Sequence, residues 1–288
     1  MLKKRVVATL VVKDGIVVQS INFKKYLPVG RPAIAVEFLN QWGIDEIILL
    51  DISASAAKRT PDFDMIKKAS AKCYVPLTIG GGITEISDIE TLMLCGADKV
   101  SLNQSILHNP ELITKAAKMF GNQCVVVSID AVKTDKGYQV YDYLTGSVRS
   151  ESPSILAAKC EDLGAGEILI NSVDKDGLYT GYDISLISSI CETVSVPVIA
   201  CGGAKNANDF IDVFQKTKAS AASAGNFFHF TEHAVNTTKA VINHAIPVRL
   251  EAQAGYTGNK FSEDLRISKK DDKELEDMLY IKIEKEII

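Results

Sequence analysis

The chain has 288 residues, 24% of them charged, with 32 Lys and Arg against 36 Asp and Glu and a formal net charge of −4. The two signs are interspersed, so there is no basic field to hold nucleic acid or an anionic membrane surface. No run approaches the roughly 20 apolar residues that span a bilayer, and six cysteines without a CxxC pair fit reduced thiols better than disulfides or zinc.

The start, Met1-Leu2-Lys3-Lys4-Arg5, leads into a short apolar stretch broken by Lys13 and Asp14, which reads as a first strand and not as a leader. A soluble, unprocessed, cytoplasmic protein is expected. From there, β-branched apolar runs alternate with stretches of helical period. The predicted strands are Val6–Val11, Glu46–Asp51, Leu77–Ile79, Lys99–Leu102, Cys124–Asp130, Glu167–Ser172, Val198–Cys201 and Ser220–Ser223. Between them, helices are predicted over Pro32–Trp42, Ser87–Cys95 and Pro153–Leu163, each stopped by a glycine (Gly43, Gly96, Gly164). Two connections are long and read as functional loops, Val12 to Arg31 after strand one and Ala131 to Ser152 after strand five. From Glu251 onward the composition turns charged and polar, so residues 252–288 are read as an extension, loosely docked or disordered, with no chemistry assigned.

The order of elements also repeats. Val75-Pro76-Leu77-Thr78-Ile79-Gly80-Gly81-Gly82 returns as Val196-Pro197-Val198-Ile199-Ala200-Cys201-Gly202-Gly203, and Gly43 to Leu50 returns as Gly164 to Asn171. A duplicated set of strand, helix, strand units predicts an α/β fold, a single (β/α)8 TIM barrel of two similar halves covering residues 1–251.

In such a barrel the chemistry lies at the strand C-terminal ends. There, Gly80-Gly81-Gly82 with Asn103, and Gly202-Gly203 with Ala224-Gly225-Asn226, form two glycine turns suited to two phosphates. Asp51, Asp130, Asp174 and Asp176 bring carboxylates to the same rim; a lone Asp after a strand is most simply a helix cap, but a long connection follows Asp130. Aligning the halves sets Val11 opposite Asp130, so one member of an acid/base pair is missing. At the opposite strand ends, Arg5, Glu46, Lys99 and Glu167 could close a ring of balanced charge; by themselves they read as a paired layer on the stability face. His229 and His233 have i, i+4 spacing but no third ligand, so with Thr231 as a cap they read as structural, and no metal or cofactor is expected.

Over roughly residues 1–251 the chain resembles the HisF family, the cyclase subunits of imidazole glycerol phosphate synthase. The matching motifs are Val12-Lys13-Asp14-Gly15, Leu50-Asp51-Ile52-Ser53-Ala54-Ser55, Gly80-Gly81-Gly82-Ile83, Gly96-Ala97-Asp98-Lys99-Val100-Ser101, Ile129-Asp130-Ala131, Asp174-Lys175-Asp176-Gly177 and Val248-Arg249-Leu250-Glu251. The resemblance implies a HisH-type glutaminase partner, whose ammonia passes through the barrel and attacks a bis-phosphorylated ribulosyl-formimino ribonucleotide. It implies that Arg5, Glu46, Lys99 and Glu167 gate the ammonia, that Asp98 lies at the partner interface, and that Asp130 is catalytic. Gly82, Asn103, Gly177, Gly203 and Gly225 would bind phosphate.

The departures from the family lie on the reaction side: Val11 replaces an essential aspartate, Thr9 a cysteine and Gln19 a lysine, and Gly225-Asn226 replaces a serine-valine pair. A diverged paralogue is expected, with weak or no histidine-pathway cyclization, that aminates another phosphorylated acceptor, as in acetamidino-sugar formation for surface polysaccharide. The competing class is a non-catalytic barrel that only activates a glutaminase.

Overall fold

The structure, a computed structural model, describes residues 3–230, 233–250, 256, 258–263 and 265–277. Eight strands form the barrel and are numbered here in chain order: β1 Arg5–Lys13, β2 Glu46–Asp51, β3 Leu77–Gly80, β4 Lys99–Leu102, β5 Val125–Thr134, β6 Glu167–Ser172, β7 Val198–Cys201 and β8 Ala221–Ala224. Each pairs in parallel with the next, and β8 returns to β1 with Arg5 opposite Ala221, which closes the sheet. The fold is a (β/α)8 TIM barrel, as the repeat predicts.

Period-two alternation explains why these runs lie where they do. Outward residues such as Val6, Ala8, Leu10 and Val12 join the large core shared with the helices. Inward Val7, Ile48, Val126, Leu169, Ile199 and Ala221 form a separate apolar layer inside the barrel. Helix starts follow the local chemistry: Pro32 and Pro153 open their helices, and Asn206 with Asp209 makes a capping box before Ala207–Lys216.

The two long connections are not loops. Barrel strands β1 and β5 each run on into an antiparallel hairpin, with arms Ile16–Ile21 and Lys25–Gly30 after β1 and Gly137–Asp142 and Ser147–Val148 after β5. Asp14 and Gly15, at φ 52° and 79°, sit between the paired residues Lys13 and Ile16, the two-residue turn that matches strand twist. That Asp-Gly signal was present in the sequence. Hairpins at corresponding places in both halves strengthen the duplication.

One buried ion pair ties the last barrel helix to the strand starts. Lys239 Nζ reaches Asp45 Oδ1 at 2.7 Å and the Gly43 carbonyl at 2.8 Å, and Asp45 Oδ2 accepts the Val6 N–H at 2.8 Å. All the donors around Asp45 come from other elements, so the pair fixes the register of β1 against β2 as well as the helix.

Of the extension, Tyr256, Phe261 and Leu265 meet the barrel. Phe261 and Leu265 pack on the core, the Phe261 ring meets His244 with centroids 6.4 Å apart, and Asp272–Asp277 is helical. The six cysteines are free thiols, and among the described residues no helix is long and apolar enough to cross a membrane.

Candidate active site

The C-terminal strand ends open into one cavity of about 1250 Å³ including its mouth. Gly82, Asn103, Asp130, Gly177, Gly203 and Gly225 all line this cavity, together with Val11 and Thr9. The hairpins roof it: Phe23 and Tyr141 meet edge to face at 6.2 Å, and Phe23, Tyr26 and Tyr143 line the cavity.

Asp130 sits on β5 where the barrel strand passes into its hairpin, so no helix N-terminus uses its carboxylate. Two amides hold it, Asn103 Nδ2 to Oδ2 at 2.9 Å and Asn171 Nδ2 to Oδ1 at 3.3 Å. Burial pushes its pKa up to about 7, the two amides pull it down, and the nearby Asp176 adds to the rise. A carboxyl that titrates near neutrality can both take and give a proton at working pH.

This shift has a stability consequence. The unfolded pKa is about 3.9, so between about pH 4 and pH 7 the folded state binds more protons and stability falls as pH rises. Above pH 7 the full penalty applies. Asp130→Asn is therefore expected to stabilise the protein by up to about 4 kcal/mol at pH 8, with the gain shrinking toward pH 5. Thermal denaturation at the two pH values checks this; an equal gain at both would assign the titration elsewhere.

The other rim carboxylates have structural partners. Asp51 caps the short helix Ile52–Ala56 through Ser53 N (3.0 Å) and Ala54 N (3.2 Å), and takes Arg59 Nη2 at 2.6 Å. Asp176 Oδ2 accepts Ser20 Oγ at 2.6 Å and Phe23 N at 3.3 Å, and Asp174 Oδ2 accepts Lys133 N at 2.7 Å. The two carboxylates after β6 thus each fasten one hairpin. Val11 lies beside Leu50 in the β1–β2 register, so the position opposite Asp130 has an apolar neighbour. Gln19 donates to the Tyr179 hydroxyl at 3.3 Å. Thr9 Oγ1 and Ser223 Oγ share a 2.6 Å hydrogen bond lower in the barrel, and burial raises the adjacent Cys201 thiol to about 12, which leaves it no thiolate to react.

The glycines owe their place first to the protein itself. At Gly177, φ 69°, a Cβ would stand 2.1 Å from the Ser20 carbonyl oxygen, and at Gly203, φ 103°, one would stand 2.3 Å from that of Gly181. Close backbone approach explains both without a ligand. Asn103 likewise spends its amide on Asp130 and on the Ser128 carbonyl at 3.0 Å. His229 and His233 do not share a helical face: His229 follows a 3-10 turn, and His233 stands at φ 56° before helix Ala234–Asn243. Burial pushes the His229 pKa down to about 4. The cap expected at Thr231 lies outside the described residues.

At the far end of the barrel, Arg5, Glu46, Lys99 and Glu167 come together. Arg5 Nη1 lies 2.5 Å from Glu46 Oε2 and its other terminal nitrogen contacts Glu167; Lys99 Nζ lies 2.8 Å from Glu46 Oε1 and 2.9 Å from Glu167 Oε2. Each carboxylate meets both cations, so the four side chains close a cycle. Burial acts to lower the pKa of Arg5 and of Lys99, but the two carboxylates more than offset it and both end raised. Both cations therefore stay charged around neutral pH.

Beside it, exposed Asp98 accepts the Leu77 N–H at 2.8 Å, the same service that Asp45 gives Val6. Tyr74, Leu94 and Met119, exposed by 84, 88 and 57%, lie at or after helix ends on this face. Sequence reasoning missed these three, and it missed Gln104 and Asp142 behind Asn103; high exposure and tertiary hydrogen bonds leave no motif.

The sequence model of the family described as histidine biosynthesis protein matches residues 5–234. The imidazole glycerol phosphate synthase subunit HisF of Lactococcus lactis subsp. cremoris (strain MG1363) is 42% identical over 253 residues, 87% of this chain and 98% of that protein. The HisF subunit of Bacillus cereus (strain AH187) is 44% identical over 253 residues, 87% of this chain and all of that one. A Vibrio vulnificus (strain YJ016) protein provisionally named imidazole glycerol phosphate synthase subunit hisF2 is 42% identical over 257 residues, 89% and 94% of the two chains. With its closed barrel, its strand-end cavity and this identity along most of its length, the chain belongs to the histidine biosynthesis protein family as a HisF-type barrel.

Proposed function

We propose that residues 1–251 are the synthase domain of a glutamine-dependent amidotransferase, with 252–288 an appended segment. A HisH-type glutaminase docks on the face bearing Asp98, Tyr74 and Leu94. Ammonia enters through the Arg5, Glu46, Lys99, Glu167 ring and crosses the barrel interior. In the cavity it adds to a phosphorylated acceptor whose phosphates sit at Gly82, Asn103, Gly177, Gly203 and Gly225. No cofactor is needed, because the amine is the nucleophile and Asp130 moves the proton. The observation that carries this reading is the pairing of a complete charged ring at one end with a buried carboxyl at the other that burial raises to about 7, Asp130, with Val11 at the symmetry-related position.

The missing carboxylate argues for an acceptor other than the one used by HisF proteins in histidine synthesis, such as a sugar converted to its acetamidino form for surface polysaccharide. A barrel that only activated a glutaminase would need the ring face but not a buried carboxyl held by two amides. The test is to purify the chain with a HisH-type glutaminase, supply amide-15N glutamine, and screen phosphorylated and nucleotide-linked acceptors for label. Incorporation into an acceptor outside histidine synthesis is the expected outcome. Efficient labelling of imidazole glycerol phosphate alone would overturn the altered-acceptor reading.

A further inference from the structure

Behind Asp130 runs a chain of buried polar groups that no part of the sequence pattern announces. Gln104, 8% exposed, follows Asn103 at the end of β4, and Asp142, 4% exposed, ends the first arm of the β5 hairpin. Gln104 Nε2 donates to Asn103 Oδ1 at 3.2 Å and to Asp142 Oδ1 at 3.2 Å. Asp142 Oδ1 also accepts from Leu144 N at 3.0 Å and Thr145 N at 3.3 Å.

We propose that Gln104, oriented by Asp142, is a positioning residue that fixes which way the Asn103 amide faces and so keeps a donor on the Asp130 carboxylate. The inference rests on Asp130 being the proton-transfer group of the proposed function. The logic is that of donors and acceptors. An ionised carboxylate only accepts, and Asp142 is held ionised: burial works against the charge, but hydrogen bonds from Thr145, Leu144 and Gln104 leave its pKa lowered. Gln104 must then turn its NH2 toward Asp142, and the second hydrogen of the same nitrogen falls to Asn103 Oδ1. With its oxygen taken, Asn103 presents NH2 to Asp130 Oδ2 and to the Ser128 carbonyl, which also only accepts.

The arrangement leaves Gln104 Oε1 buried with no hydrogen-bond partner. A buried acceptor left so is costly, but the reverse orientation would set that oxygen against two acceptors at once. Two obligate acceptors, Asp142 at one end and the Ser128 carbonyl at the other, thus impose one polarity on the relay. The other titratable groups whose charge reaches Asp130 are Asp176, Tyr26, Tyr143 and Cys201; the last three are neutral near pH 7, with pKa values raised by burial, so their charge does not change across the Asp130 titration.

The test needs no acceptor substrate. The carboxyl carbon of Asp130 is followed by 13C NMR against pH in the full chain, with Asp130→Asn giving the assignment. Gln104→Met, neutral and close in size, removes the donor to Asn103; the Asp130 midpoint is expected to rise by about half a unit or more. Asp142→Asn should move it the same way by less, and serves alone if Gln104→Met does not fold. Asn103→Leu sets the upper limit of the shift. Midpoints unchanged in both Gln104→Met and Asp142→Asn while Asn103→Leu shifts would overturn the relay and leave Asp130 as the proposed proton-transfer group. A wild-type midpoint in the ordinary carboxylate range would instead count against Asp130 itself.

Discussion

Given ammonia and the bis-phosphorylated ribulosyl-formimino substrate, the purified chain is expected to turn over at least about 10²-fold more slowly than a HisF protein with a carboxylate at the position of Val11. General acid–base assistance contributes roughly 10²–10⁴ in rate, and a valine contributes none. Val11→Asp should recover part of the difference. It cannot recover all, because position 11 lies beside Leu50, which offers the new carboxyl no hydrogen bond, and because Gln19 stands where the resemblance to HisF implies a lysine. In the Val11→Asp background, Asp130→Asn should abolish the recovered rate. Steady-state assays of the four proteins, with ammonium in place of the glutaminase, check the series. Turnover by the unaltered chain at the rate of its relatives would show that one carboxyl suffices.

A second large effect is expected at the ring. Lys99→Met leaves Glu46 and Glu167, whose side chains are 1% and 5% exposed, to share Arg5 alone. Breaking one member of a buried ionic group typically costs about 3–5 kcal/mol, read here as a fall in urea midpoint. If the ring admits ammonia from the partner, the variant should also change the ratio of glutamine-driven to ammonium-driven amination, since free ammonium can reach the cavity from its open mouth. A stability loss with an unchanged ratio would make the ring a structural layer only.

Much of the architecture was legible because it repeats at two levels. Apolar β-branched runs set between stretches of helical period located all eight barrel strands, four with the observed bounds, and the doubled strand–glycine motif predicted closure. The hairpins were misread as loops because length was weighed ahead of the Asp14-Gly15 turn. Asp130 stood out in the sequence through its contrast with Val11, since symmetry supplied the comparison. What could not be seen depends on contacts between distant segments. Gln104 and Asp142 are ordinary polar residues until the β5 hairpin folds back over β4. The glycines at 177 and 203 were read as anion cradles, although the Ser20 and Gly181 carbonyls alone forbid a Cβ there. Asp98 resembles an interface residue in its motif, but one of its oxygens already serves the Leu77 N–H.

Glutamine hydrolysis by the HisH-type glutaminase, measured alone and with this chain, tests the central claim most directly, since it needs neither the acceptor nor the histidine-pathway substrate. The barrel is predicted to form a stable heterodimer with the glutaminase and to raise its rate, and Asp98→Ala, checked for retained fold because of the Leu77 hydrogen bond, is predicted to lose that stimulation. Absence of a complex, or a glutaminase rate unaffected by the barrel, would contradict the assignment of this face to an ammonia-supplying partner.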